Sequence, residues 1–407
     1  TAFLRCTPRS QVDEANRVQP CTLELYDPLY ACQVQVGERL VPLETDLTTP
    51  LAYFLDNPDF QEAEDPTFGL LNPDAAMKRR GIYMVEPYDP RRIPVVMVHG
   101  LWSSPTTWME MFNDLRSFPE IRSRYQFWFY QYPTGKPFLA SAAEMRDALV
   151  EVRTTLDPNR VNPNLDQMVL VGHSMGGLVS RLQTIESGDD FWRILTDRPF
   201  SELKATPQEQ EKLAKLYFFN ANPSIKRVVT IGTPFRGSEN STEAVRYAGQ
   251  KFIKMPAAMV ELTNKVIRDN PGYFTSTKLL TMATSLDSLA KDDPLFPVML
   301  QAKHGSGTTF HNIVGNKPRT TFADRLREDG DGIVSLESAR VDDVKTQIEV
   351  EADHLTVHRN PLSTLEVRRI LREHLETLYP LALEQEGPQG TVSDEQLLPA
   401  SYFPPGQ

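Results

Sequence analysis

The feature that most constrains this chain is a serine set among glycines where an apolar run gives way to a helical pattern. Met168-Val169-Leu170-Val171 is apolar at every position, and Gly172-His173-Ser174-Met175-Gly176-Gly177 follows it directly. An unbroken apolar run of strand length belongs to a strand buried on both faces, as in a parallel sheet. Residues 176–185 then read as the helix that follows. A strand, a sharp turn and a helix in that order form an elbow that lifts a serine hydroxyl above the sheet edge. Gly172, Gly176 and Gly177 remove side chains that would clash in so tight a turn. The start of the helix also aims backbone N–H groups at negative charge developing there. Ser174 is therefore predicted to be a nucleophile.

The rest of the chain repeats the alternation. Residues 93–98 form a second unbroken apolar strand, and further strands are predicted at 126–130, 167–171, 226–231, 310–314 and 347–350. Met145, Leu149, Val152 and Leu156 recur at helical spacing, and Leu365, Val367, Ile370, Leu371 and Leu375 are expected to line one face of a closing helix. Strands alternating with helices predict an α/β fold with a mostly parallel central sheet and helices on both faces. Residues 1–92, rich in Pro and Asp with strand-like runs at 22–25 and 32–36, read as an N-terminal extension packed on the main domain at 93–383. Two stretches of helical composition, 189–225 and 238–308, stand where the fold needs only short connections, and are expected to form a helical cap or lid over the carboxyl edge of the sheet. In the first, Leu213, Leu216, Phe218 and Phe219 beside Lys212 and Lys215 suit an amphipathic lid; ordinary helices on the flank of the sheet are the alternative. Residues 384–407 read as an extended or disordered tail.

A serine on such an elbow is followed in chain order by an acid and then a histidine. Asp329-Gly330-Asp331-Gly332-Ile333-Val334 supplies two carboxylates, and the strand at 347–350 runs into Glu351-Ala352-Asp353-His354. Asp331 and His354 are predicted to complete a triad with Ser174: the histidine takes the serine proton, and the aspartate holds the imidazole tautomer. Asp329 competes with Asp331 but suits a loop-capping role, and His358 competes with His354 but sits beside Arg359 and Pro361 at a helix start. His99-Gly100-Leu101-Trp102 ends the strand at 93–98, so the oxyanion donors are expected to be the N–H groups of Leu101 and Met175. His99 reads as a brace for this loop. Trp102 and Trp108 read as packing for the loop and the helix after it, with a wall of the acyl pocket as the alternative.

Composition excludes several classes. The net charge of −11 opposes a nucleic-acid partner, and no apolar run approaches the length of a transmembrane segment. Glu328, Asp329 and Asp331 match no calcium-loop spacing, and the triad calls for no cofactor and no metal. Cys6, Cys21 and Cys32 all precede the predicted site. One disulfide among them suits an oxidising compartment and leaves one thiol over; three reduced, partly buried cysteines is the other reading. With Thr1 in place of Met, read as a trimmed start, the expectation is export to a periplasmic, outer-membrane-associated or secreted location.

These motifs together resemble the bacterial lipase and esterase branch of the α/β-hydrolase fold. The resemblance rests on Val98-His99-Gly100-Leu101, Gly172-His173-Ser174-Met175-Gly176-Gly177, Gly232-Thr233-Pro234-Phe235-Arg236-Gly237-Ser238, Asp331-Gly332-Ile333-Val334 and Asp353-His354. Related lipases carry a histidine where this chain has Phe235. The resemblance implies a serine carboxylester hydrolase that forms an acyl-enzyme, with an ester substrate, a lipid ester among the candidates, and pockets shaped by the two insertions. An acyltransferase on the same triad is the nearest alternative, and a non-catalytic binding protein on a hydrolase scaffold is a third.

Overall fold

The computed structural model describes residues 1–8, 19–27, 31, 33–44, 46–56, 79–238, 257–281, 284–318 and 329–380. Two hairpins open the chain: β1 (Ala2–Cys6) pairs antiparallel with β2 (Cys21–Leu25), and β3 (Gln33–Val36) with β4 (Arg39–Pro42). A disulfide joins Cys6 to Cys21 across the first hairpin, while Cys32 lies outside the described residues. The short helix α1 (Thr48–Leu55) rests Leu51 on the main core, and Asn113 donates to the Thr48 hydroxyl at 2.9 Å.

The main sheet has seven strands: β5 (Gly81–Met84), β6 (Ile93–Val98), β7 (Tyr125–Gln131), β8 (Met168–His173), β9 (Ile225–Ile231), β10 (Thr309–Gly315) and β11 (Thr346–Val350), in the spatial order β11-β10-β9-β8-β6-β7-β5. All neighbours are parallel except β5, which runs antiparallel to β7 at one edge. The sheet thus begins at Gly81, before the boundary expected at residue 93. This edge strand is short and half-buried, so it lacks the continuous apolar run that marks the central strands.

The pleat sorts alternate residues into two cores. On one face Val96, Val98, Trp128, Tyr130 and Leu170 pack under α3 (Phe138–Leu156) and α4 (Met175–Arg181). On the other, Val95, Met97, Phe127, Phe129, Val169 and Val171 pack under α2 (Met109–Ser117) and α8 (Pro361–Leu378). In α8 the buried stripe runs through Val367, Ile370, Leu371, His374 and Leu375, while Leu365 is 48% exposed. The expected face was one residue out of phase at its start: Thr364, three before Val367, is buried instead.

The two insertions divide. In the first, α5 (Pro207–Tyr217) starts with a Thr206–Glu209 capping box and lies along α3; Arg146 of α3 donates to the Lys215 carbonyl at 2.8 Å, and its guanidinium sits 4.1 Å from the ring centre of Phe219. Phe219 is thereby a flank residue in the core. In the second, α6 (Ala257–Asp269) and α7 (Leu295–Gln301) are joined by a segment in which Leu286 packs against Leu101 and Ser285 donates its N–H to the Gly135 carbonyl. Residues 239–256 and the expected tail at 384–407 lie outside the described residues. Among the described residues no helix is long and apolar enough to cross a membrane.

Candidate active site

The elbow forms because β8 and β9 run side by side and α4 must start immediately. Ser174 adopts φ 54° and ψ −125°, a conformation costly for any residue with a side chain, and its N–H is held by the Ile231 carbonyl at 2.9 Å. The turn is tight enough that a Cβ on Gly172 would lie 2.5 Å from the Gly176 carbonyl oxygen, and one on Gly176 would meet the carbonyls of Val98 and His99. These close approaches are the physical reason for the glycines around the serine.

Three segments distant in sequence meet above the sheet edge. The Ser174 hydroxyl lies 2.9 Å from Nε2 of His354, which follows β11. Nδ1 of His354 lies 2.7 Å from Oδ2 of Asp331, on the loop that follows β10. The other carboxylate oxygen of Asp331 accepts the N–H groups of Ile333 at 2.9 Å and Val334 at 2.7 Å. A carboxylate only accepts, so Nδ1–H of a neutral His354 donates to Asp331 and leaves Nε2 to accept from Ser174. All three side chains are buried, and both donor–acceptor separations fall within the reach that proton transfer needs. Ser174, His354 and Asp331 thus form the triad of a serine hydrolase.

The first strand-to-helix loop lies beside the serine. A Cβ on Gly100 would sit 2.9 Å from Cβ of Ser174, so the backbone at 100–101 borders the nucleophile. Met175 is the first residue of α4, and its N–H therefore has no intrahelical partner. His99 braces the loop as expected: its ring stacks on Tyr132 at 4.5 Å, and the Tyr132 hydroxyl donates to the His99 carbonyl at 2.7 Å. Burial pushes the His99 imidazole down to about 4, so it stays neutral. Trp108 is fully buried, but Trp102 departs from the packing role: it is 63% exposed, with φ 55° and its N–H on the Thr134 hydroxyl at 3.3 Å. The left-handed turn at Trp102 directs the indole away from the core that the loop otherwise joins.

Asp331, and not Asp329, meets the imidazole; Asp329 instead gives its carbonyl to the Leu336 N–H at 2.7 Å. Glu328 lies outside the described residues. His358 stands on the short helical turn before α8, with Nε2 2.7 Å from the Thr107 hydroxyl, away from the serine. Phe235 is buried under Arg181, whose guanidinium lies 5.6 Å from its ring centre and 5.4 Å from that of Phe310 while pairing with Asp343. Two contributors carried no separate signal in the sequence. Thr134 supports the first strand-to-helix loop through the Trp102 N–H, from a segment with no motif. His173 was legible only as part of the elbow, yet its Nε2 lies 3.0 Å from the His354 carbonyl.

The family comparison agrees with this architecture. A family-wide pattern described as the alpha/beta hydrolase family matches residues 95–361. No curated protein matches the chain. Among solved structures, the mature form of a Bacillus licheniformis lipase is 17% identical, with a TM-score of 0.42 over 72% of this chain and 97% of its own. A metagenomic carboxyl esterase is 15% identical, with a TM-score of 0.36 over 71% of this chain and 77% of its own. The family match runs from within β6 through the elbow, the acid and the base. The chain belongs to the alpha/beta hydrolase family.

Proposed function

We propose that this protein is a carboxylester hydrolase that works through an acyl-enzyme on Ser174. The observation that carries the reading is the unbroken hydrogen-bond chain from Ser174 through His354 to Asp331. Ser174 attacks the ester carbonyl as His354 takes its proton, and the N–H groups of Leu101 and Met175 receive the negative oxygen. His354 then protonates the departing alcohol, and water enters by the same route to release the acid. Asp331 stays ionised, holding the imidazole and balancing its transient charge.

The second insertion serves as the cap, a reading supported by Leu286 against Leu101. Within the ester class a lipid ester is the proposed substrate, following the resemblance of these motifs to the lipase and esterase branch. The Cys6–Cys21 disulfide supports export to an oxidising compartment.

The test is release of p-nitrophenol from acetate, butyrate, octanoate and palmitate esters by the wild type and by Ser174→Ala. The variant is expected to lose at least about a thousandfold in turnover and all labelling by a fluorophosphonate probe. Retained activity in Ser174→Ala, with contamination excluded, would refute the assignment. Turnover that rises only with an added acceptor alcohol would instead point to acyl transfer.

A further inference from the structure

Next to the nucleophile sits a buried imidazole to which the triad assigns no step. His173 ends β8, with its ring centre 5.0 Å from that of His354 and 4.4 Å from that of His358. Its Nε2 lies 3.0 Å from the His354 carbonyl oxygen. A carbonyl oxygen can only accept, so this nitrogen carries the proton. The opposite edge of the ring faces the oxyanion loop: a Cβ on Gly100 would lie 3.2 Å from His173 Nδ1. Burial, with His358 and His354 close by, holds the His173 imidazole well below its ordinary value and therefore neutral.

We propose that His173 is a positioning residue for the catalytic base, clamping the main chain of His354 while its ring spaces that loop from the oxyanion loop. The main chain of His354 is otherwise tied to the acid loop, its N–H donating to the Asp331 carbonyl at 3.0 Å. With the carbonyl held by His173 and the N–H held by Asp331, both polar backbone groups of the base are fixed. The imidazole can then keep its two hydrogen bonds, one to Ser174 and one to Asp331, without drift of its Cα. The spacing is equally direct: one five-membered ring sets the separation between the segment bearing the base and the loop expected to hold the oxyanion.

Packing alone would not select a histidine at this position. The Nδ1 atom of His173 is buried with no hydrogen-bond partner among the described residues. An apolar ring would fill the same volume without that desolvation cost. What the imidazole adds is the Nε2–H donor. The neighbour His358 is fixed by Thr107, and burial holds its imidazole pKa down at about 4, so near neutral pH it brings no charge against the clamp.

This inference rests on the ester-hydrolase reading, and its test separates the two. His173→Phe keeps a ring and removes the donor; His173→Gln places an amide N–H within similar reach. In p-nitrophenyl butyrate hydrolysis, His173→Phe is expected to lower kcat about a hundredfold, the effect of a misplacement near 1 Å, with KM little changed. His173→Gln is expected to recover most of kcat. In an Asp331→Asn background the same Phe substitution should cost far less, because the base is already disabled. Thermal melting verifies that each variant is folded. Wild-type kcat in His173→Phe, equal losses in Phe and Gln, or full additivity with Asp331→Asn would each overturn the proposal. If the wild type releases no p-nitrophenol, the ester reading fails, and the rate of Ser174 labelling by a fluorophosphonate still ranks the variants.

Discussion

Replacing Asp331 by Asn tests the site most sharply, because the loop dictates which way the new amide faces. Oδ1 of Asp331 accepts two backbone N–H groups, from Ile333 and Val334, while Oδ2 faces Nδ1 of His354. In Asp331→Asn the amide oxygen must keep the two N–H partners; the flipped amide would set its NH2 against both and forfeit bonds of about 1–3 kcal/mol each. The NH2 group therefore points at His354 and forces Nδ1 to act as acceptor. The imidazole proton then moves to Nε2, the atom that must receive the Ser174 proton. A wrong tautomer of this kind costs about 10⁴-fold in kcat, or about 5 kcal/mol of transition-state stabilisation. Stability should stay near the wild type, because both backbone donors remain bonded. Steady-state hydrolysis of p-nitrophenyl butyrate with a urea melt on the same sample measures both quantities. A folded Asp331→Asn variant within tenfold of wild-type kcat would refute the tautomer argument and the role of Asp331.

Three further outcomes are expected. His358→Ala should keep kcat within about tenfold while losing about 1–3 kcal/mol of stability through the abandoned Thr107 hydroxyl; a loss as large as that of His354→Ala would reverse the choice of base. Burial raises the Asp293 carboxyl to about 7, with Leu295 N–H on one of its oxygens, so its stabilising contribution is complete at pH below about 4 and is lost as pH rises through about 7. Asp293→Asn should then raise stability by on the order of 4 kcal/mol at pH 8 and leave it unchanged near pH 4; urea midpoints that shift equally at both pH values would contradict this. Trp102, at φ 55°, should be replaced better by Gly than by Ala, with Trp102→Gly about 1 kcal/mol more stable than Trp102→Ala in the same melt; equal stabilities would show that the left-handed turn carries no strain.

What the sequence made legible is what burial writes directly into residue type. Strands β6 and β8 are buried on both faces and read as unbroken apolar runs, so their positions were clear. The elbow was clear because three glycines answer to three close approaches around one serine. Asp331 and His354 stood out because each follows a parallel strand at its carboxyl end, β10 for the acid and the edge strand β11 for the base, where a parallel sheet gathers its loops. The edge strand β5 was missed because one half-buried, four-residue strand has no such run. The proposed cap was only partly readable: α5 and the segment around Leu286 share an apolar and charged composition, yet one lies on α3 and the other on Leu101.

The remaining obscurity has a single physical origin, which is that the site is held together largely through backbone atoms. Ser174 is fixed by the Ile231 carbonyl, the Asp331 carboxylate by two loop N–H groups, and His354 at both its N–H and its C=O. Every residue offers those groups, so residue type does not announce them. Side-chain identity becomes informative only where a donor must meet such a backbone group from a fixed distance, as His173 does, or where the backbone adopts a conformation that side chains resist, as at Ser174 and Trp102. The latter pair flanks the proposed oxyanion donors: Leu101 precedes Trp102, and Met175 follows Ser174. At each place the N–H of the strained residue is taken up within the fold, Ser174 on the Ile231 carbonyl and Trp102 on the Thr134 hydroxyl, so the strained turns hold the chain on which the proposed donors sit. Strain on both sides of the proposed oxyanion site is therefore expected of its construction, and a helix-favouring or β-branched residue at either position would work against it.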